Sequence, residues 1–360
     1  AYNIASVEFP YSVEYAGILQ NLADYYLHKG DIAKVDDLIN RADKVYNRFK
    51  SGSGIELISD ADQKAEFYIK TGRSSTAEKL LKEIIQVKEE QLGSEHVMLA
   101  NSYTLMGSAL NDQGKFVKAE NYARKAELIY ENSYGRESLV YLKTTSLIAQ
   151  IYQSLGDYQR AIEQWNNVIR YQRLSLGYLN PEVAFTLINR AECYILSEQY
   201  SNAEKDLNKA TEILKQNQQS EPNSLVAMWM EKQSLLEKNR KNYQDALAYL
   251  DSSNSYYLNT YGRKSVFNAR IEFEKGKINL LKEEYDKASE QFKTASRLYK
   301  KAYSKNHPQK LRSDFHLSKI YEKSGRPKKA MAVQQKVNDR YIDFLSDDYR
   351  FLSQSERGSY

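Results

Sequence analysis

A small or branched residue returns every 42 positions through nearly the whole chain, and this interval constrains the fold more than any other feature. Val35, Ala77, Ala119, Ala161, Ala203, Ala246, Ala288 and Ala330 follow one another at 42 residues, with a single interval of 43. A fixed period of this order marks a solenoid. One helical unit cannot bury its apolar face alone, so neighbours stack and share a core.

Twelve residues before these anchors stand Ala23, Ala65, Gly107, Ala149, Ala191, Ser234, Gly276 and Ser318, all small. Helices approach closely only where side chains are short, so the two helices of each unit are expected to cross here. Nine residues before the anchor come Tyr26, Tyr68, Leu110, Tyr152, Tyr194 and Tyr321. Glu237 and Asn279 break that pattern, and Leu236 with Ile278 or Leu280 is expected to take over the packing. Five residues before it, Gly30, Gly72, Gly114, Gly156 and Gly325 are natural helix ends, because Gly accepts the left-handed conformation. Glu198, Lys241 and Glu283 replace Gly in other units, where less sharply defined turns are expected.

An aromatic follows two residues later, as Phe116, Tyr158, Tyr200, Tyr243 and Tyr285. Beyond the anchor, Trp165, Val168 and Tyr171, or Phe292, Ala295 and Leu298, trace one face of a helix. Each unit therefore reads as helix, tight turn, helix and short connector, with helices of about 18 residues and ~27 Å. The connectors carry Leu92-Gly93, Tyr134-Gly135, Leu176-Gly177 and Tyr261-Gly262. Pro181 and Pro308 fall where a helix should start and Pro222 just upstream of another, positions that tolerate a missing N–H. No stretch alternates with period two for long enough to form a sheet, and the fold class is all-α.

The order small, Tyr, Gly, aromatic, Ala resembles the tetratricopeptide repeat, in a 42-residue form similar to that of kinesin light chains. The connectors Leu92-Gly93-Ser94-Glu95-His96 and Leu176 to Ala184 carry the same likeness. The resemblance covers nearly the whole chain. It implies a right-handed superhelical solenoid of about eight helix-turn-helix units over residues 1–345, with 346–360 a capping or linker segment. It is specific for fold and only weakly so for function, because this architecture serves many partners.

A single core rarely spans 360 residues, whereas an array grows by adding units. Many of the 30 tyrosines occupy repeat positions, as packing residues with a polar tip. Cys193, the single cysteine, is expected to be a buried apolar residue, with no His in its turn to activate it. No run of apolar residues is long enough to span a membrane. The chain opens at Ala1 without a signal segment, as a trimmed or processed chain does, and the cytoplasm is favoured over the periplasm. The net charge of +5 conceals an asymmetry. Residues 261–340 hold 21 Lys or Arg against 9 Asp or Glu, a surplus of 12 that leaves the rest near −7. This is either a solvated helix surface or a basic end of a groove that draws acidic peptide.

The chain contains no HExxH spacing, no GxGxxG, no GxxxxGK[ST] and no GxSxG elbow. His96 and His307 fall in connectors, where a surface or capping role is expected, and His28 and His316 on first helices, as packing or groove residues. No catalytic site, metal or cofactor is expected, and neither a membrane nor nucleic acid as partner.

The resemblance implies that the first helix of each unit lines the concave surface, so its polar positions become candidate partner contacts. These are Asn21, Asp24, Gln63, Glu66 and Lys70 in the first two units, and Thr104, Ser108, Asn111, Lys143, Gln150, Gln153, Asn189 and Glu192 in the middle. Towards the C-terminus they become Lys232, Arg270, Lys277, Arg312 and Lys319. Amides there can bond the backbone of an extended peptide and cations its carboxylates. Asn189 matches the asparagine that kinesin-light-chain-like repeats use this way. The expected function is a scaffold that binds a peptide or protein segment. The string Phe351-Leu352-Ser353-Gln354-Ser355-Glu356-Arg357 also resembles the junction of bacterial repeat arrays with a CHAT domain, a caspase-like peptidase fold. That likeness implies a regulatory or substrate-recruiting arm whose catalytic domain follows Tyr360; a sensor array of a signalling protein is a further alternative.

Overall fold

The computed structural model describes residues 12–28, 32–49, 55–70, 73–217, 224–263, 265–302 and 307–349. Within them sixteen α-helices follow in pairs. The first helix of each unit is α1 (Val13–His28), α3 (Ile55–Lys70), α5 (Val97–Asp112), α7 (Leu139–Leu155), α9 (Pro181–Leu196), α11 (Ser224–Asn239), α13 (Val266–Leu281) or α15 (Pro308–Lys323). The second is α2 (Ile32–Phe49), α4 (Ser74–Leu92), α6 (Phe116–Tyr134), α8 (Tyr158–Leu176), α10 (Tyr200–Gln216), α12 (Tyr243–Tyr261), α14 (Tyr285–Ala302) or α16 (Pro327–Tyr349). No strand occurs among the described residues. Helix α16 continues past residue 345, while residues 350–360, with the string at 351–357, lie outside the described residues, as do Gly30, Gly72 and Pro222.

The small positions are where the helices meet. Ala23, Ala65, Ala149 and Ala191 are fully buried, as are the anchors Ala77, Ala119, Ala161, Ala203, Ala246 and Ala288. A Cβ built on Gly107 would lie 3.1 Å from the Ala119 carbonyl oxygen, and one on Gly276 would lie 3.0 Å from the Phe292 ring. At these crossings volume alone excludes a larger residue. Leu236 and Ile278 are buried where Glu237 and Asn279 interrupt the Tyr series, and Leu280 packs at the edge of a separate cluster with Phe273 and Phe292.

The turns between paired helices correct one expectation. Glu198, Lys241 and Glu283 adopt φ of 62°, 67° and 62°, beside 78° at Gly114, 83° at Gly156 and 71° at Gly325. Each turn closes with the same bond, from the amide four residues before the anchor to the carbonyl nine before it: Lys115 to Leu110 and Asp157 to Tyr152, but equally Gln199 to Tyr194, Asn242 to Glu237 and Glu284 to Asn279. Those turns are as sharply defined as the glycine ones. The packing of the flanking helices dictates the turn, and the side chain pays the conformational cost.

The connectors behave differently. Gly93, Gly135, Gly177 and Gly262 combine φ of 73–86° with ψ of 159–171°, a region essentially confined to glycine. The next helix starts with a side-chain cap: Ser138 accepts from Tyr141 N, Asn180 from Glu182 N ahead of Pro181, and Ser265 from Asn268 N. His96 and His307 cap likewise, through Nδ1 to the amides of Met98 and Gln309.

The stack does not remain an open arc. His307, at the start of the eighth unit, places Nε2 2.6 Å from the carbonyl oxygen of Asp112 in the third. Helix α1 of the first unit also packs against α12 of the sixth. Both contacts join units five apart, so the superhelix returns onto itself rather than forming the extended curved wall that an eight-unit array suggests.

Candidate binding cavity on the concave face

The concave side of the superhelix holds a partly open cavity of about 1040 Å³, lined by the third to eighth units. Its apolar wall includes Phe116, Leu155, Tyr158, Leu196, Phe273 and Tyr299. Seven of the residues expected to contact a partner come together here: Asn111, Gln153, Glu192, Lys232, Arg270, Lys277 and Arg312.

Most of the cations among them are matched by carboxylates of the protein itself. Gln153 donates to Glu192 Oε2 at 2.6 Å, and Lys232 Nζ reaches the same oxygen at 2.6 Å. Burial opposes ionisation of Glu192, but Lys232 outweighs it and holds the carboxyl below its ordinary value. Arg270 donates to Glu231 Oε1 at 2.7 Å, and Tyr257 donates to that oxygen at 2.7 Å. Lys277 lies 3.0 Å and Lys238 3.4 Å from Glu274. Despite burial, these two ammonium groups hold the Glu274 carboxyl well below the usual carboxylate range. Glu231, Glu274 and Lys238 are the residues that sequence reasoning missed. Lys238 was within reach of it, since it stands four residues after the crossing position, as Asn111 and Gln153 do.

Two buried polar atoms in this wall have no protein partner: Asn111 Oδ1 and Arg270 Nε. His316 stacks on Phe292 with centroids 4.8 Å apart. Burial, reinforced by the charges of Lys277, Lys319 and Arg312, lowers its pKa to about 4. Arg312 and Lys319 are exposed, and each lies against a ring, Arg312 5.6 Å from the Phe273 centroid and Lys319 4.7 Å from that of Phe315. Cys193 is buried and donates to Gln153 Oε1 at 3.4 Å; burial, with Glu192, pushes its thiol up to about 12.

The remaining expected contacts are scattered. Thr104 is buried and bonds the Ala100 carbonyl and the Thr144 hydroxyl, facing the helix interface rather than a groove. Asn189 is 9% exposed and donates to the Phe185 carbonyl of its own helix. Lys143 lies 3.6 Å from Glu66. Asn21 and Gln63 are exposed, and Ser108 and Gln150 half-buried. The side chains of Asp24, His28 and Lys70 lie outside the described residues.

Residues 57–132 and 140–216 match the family model of the tetratricopeptide repeat. Over those residues the chain carries tetratricopeptide repeats. A clustered mitochondria protein homolog from Debaryomyces hansenii is 27% identical over 180 residues, which span 49% of this chain and 13% of that protein. Among solved structures, NprR in complex with its cognate peptide NprX superposes with a TM-score of 0.59 at 16% identity, over 92% of this chain and 89% of NprR. A Rap protein complexed with competence and sporulation factor gives 0.58 at 12% identity, over 94% and 96%. A putative kinesin light chain with nearly identical repeats, from Podosopora anserina, gives 0.47 at 20% identity, over 57% and 99%.

Proposed function

We propose that this array of tetratricopeptide repeats is a non-enzymatic scaffold that seats a peptide or protein segment in its concave cavity, with an acidic part of that segment towards the seventh and eighth units. The observation that carries this reading is the partly open cavity of about 1040 Å³, whose wall mixes apolar side chains with Asn111 and Arg270, whose Oδ1 and Nε lack protein partners. A buried polar atom without a partner is unfavourable, so these two side chains gain by turning towards a peptide amide or carbonyl placed in the cavity. NprR and the Rap protein, whose overall fold is similar, were solved with a peptide and with competence and sporulation factor respectively.

The test is to pan the full chain against random peptides and to measure the selected binders on the Lys277→Glu/Lys319→Glu variant. We expect an affinity loss of roughly tenfold or more with unchanged helical content. Unchanged affinity for a peptide that competes for the cavity would count against the reading. A second arrangement, an arm of a CHAT-type peptidase, is favoured only by the string at 351–357. It is decided by the coding sequence after Tyr360, where a stop codon would exclude it.

A further inference from the structure

Charge is balanced along most of the cavity wall. Lys232 has Glu192, and Arg270 has Glu231. Asp112 also lines the cavity and forms no ion pair among the described residues, its carboxylate accepting from Ser74 Oγ at 2.9 Å. A positive surplus lies at one place. Lys238 and Lys277 share the single carboxylate of Glu274, at 3.4 and 3.0 Å. Arg312 lines the same cavity, 5.6 Å from the Phe273 ring that also lies beneath Lys277 at 5.5 Å. No ion pair is formed by Arg312 among the described residues. Three positive charges therefore meet one negative charge, a local surplus of two.

Lys238 is 9% exposed, so its own charge is poorly solvated, whereas Arg312 is exposed to solvent. Burial of Lys238, together with the neighbouring Lys277, depresses its pKa despite Glu274. A single carboxylate of a bound peptide would supply only one of the missing charges. A phosphoryl group carries about −1.5 to −2 at pH 7 and offers three strong acceptor oxygens.

We propose that Lys238, Lys277 and Arg312 form a subsite for a phosphoryl group carried on the segment bound in this cavity. The subsite rests on the peptide-binding reading above and narrows it to a phosphorylated partner. Glu274 acts as an internal stand-in: it holds the two lysines together when the cavity is empty and competes with the incoming anion. Both Lys277 and Arg312 lie over the Phe273 ring, which favours their cationic forms there.

The experiment is calorimetric titration of the full chain with inorganic phosphate and with acetate. Saturable binding of one phosphate is expected, with acetate roughly tenfold weaker or worse. Lys238→Met should weaken phosphate by roughly tenfold, and Glu274→Gln should tighten it several-fold. Tightening is a response that a merely structural role would not produce. Absence of saturable phosphate binding, or phosphate binding indifferent to both substitutions, would overturn the subsite.

The source is decided with a cavity-binding peptide carrying Ser, Glu or phosphoserine at successive positions. Phosphoserine at one position should raise affinity roughly tenfold over Ser, and Lys238→Met should abolish the gain. A phosphopeptide no tighter than inorganic phosphate would assign the subsite to a small phosphate-bearing molecule and overturn a segment-borne group. Peptides that bind the cavity without phosphate dependence refute the subsite alone. Phosphate binding without any cavity-binding peptide refutes the proposed function, and the source named here with it.

Discussion

Glu198, Lys241 and Glu283 hold a left-handed backbone that Gly114, Gly156 and Gly325 adopt in equivalent turns. A side chain at such φ crowds the following carbonyl, a penalty that glycine lacks, although glycine loses more chain entropy on folding. Glu198→Gly, Lys241→Gly and Glu283→Gly should each stabilise the protein by about 0.5–1 kcal/mol, read from urea unfolding. The connector glycines predict the opposite sign. Nothing lies within 4 Å of a Cβ placed on Gly135, so Gly135→Ala meets no clash. Its φ of 74° with ψ of 171° nevertheless lies in glycine-only territory, and the substitution should cost about 1–3 kcal/mol in the same assay. The glycine pattern was legible in the sequence because it reflects a local backbone requirement. That three other residues accept the same geometry was not, because the neighbouring helices impose it from outside.

At the scale of the element, the second helices carry a position that the apolar periodicity does not anticipate. Lys88 on α4 is 1% exposed. Its three donors reach Asp62 Oδ2 at 2.7 Å, Ser102 Oγ at 2.8 Å and the Met98 carbonyl at 3.1 Å, which ties α4 to α3 and α5. One unit on, the same register holds Tyr130, and two units on Gln172, which pairs with Thr186 at 2.8 Å. Apolar replacement of both members of such a buried pair is often neutral, whereas removal of one partner strands the other. Lys88→Met should cost about 3–5 kcal/mol in chemical unfolding, while Lys88→Met with Asp62→Leu should recover most of that loss. A smaller deficit in the single variant than in the double would show that the buried pair is not the source of the effect. The small residues at the crossings, by contrast, were read directly, since side-chain volume alone decides which residue fits between Gly276 and Phe292.

The molecule as a whole is closed by His307. Its Nδ1 accepts from the Gln309 amide, so Nε2 carries the proton and donates to the Asp112 carbonyl. Burial lowers the His307 pKa from 6.5 to about 4. The folded chain therefore binds this proton less tightly than the unfolded one. The associated stability is complete above pH 6.5 and is lost as pH falls towards 4, on the order of 3 kcal/mol in all. Asp112 opposes it: burial pushes that carboxyl up from 3.8 to about 6, which favours the folded state as pH falls through the same window. Acidification from pH 7 to 4.5 should lower the thermal midpoint and enlarge the radius of gyration in solution scattering. Asp112→Asn should make the loss of midpoint steeper. A midpoint equally insensitive to pH in both proteins would rule out His307 as the closing contact.

The 42-residue period, the crossing positions and the connector glycines were set by side-chain volume and local φ, which is why the chain alone determined an all-α stack of paired helices and its register. The cavity, the return of the eighth unit to the third, and the pairing of Lys232, Arg270 and Lys277 with carboxylates were decided only in three dimensions. Curvature accumulates from small rotations between units, and no single repeat encodes where the accumulated turn brings two distant units together.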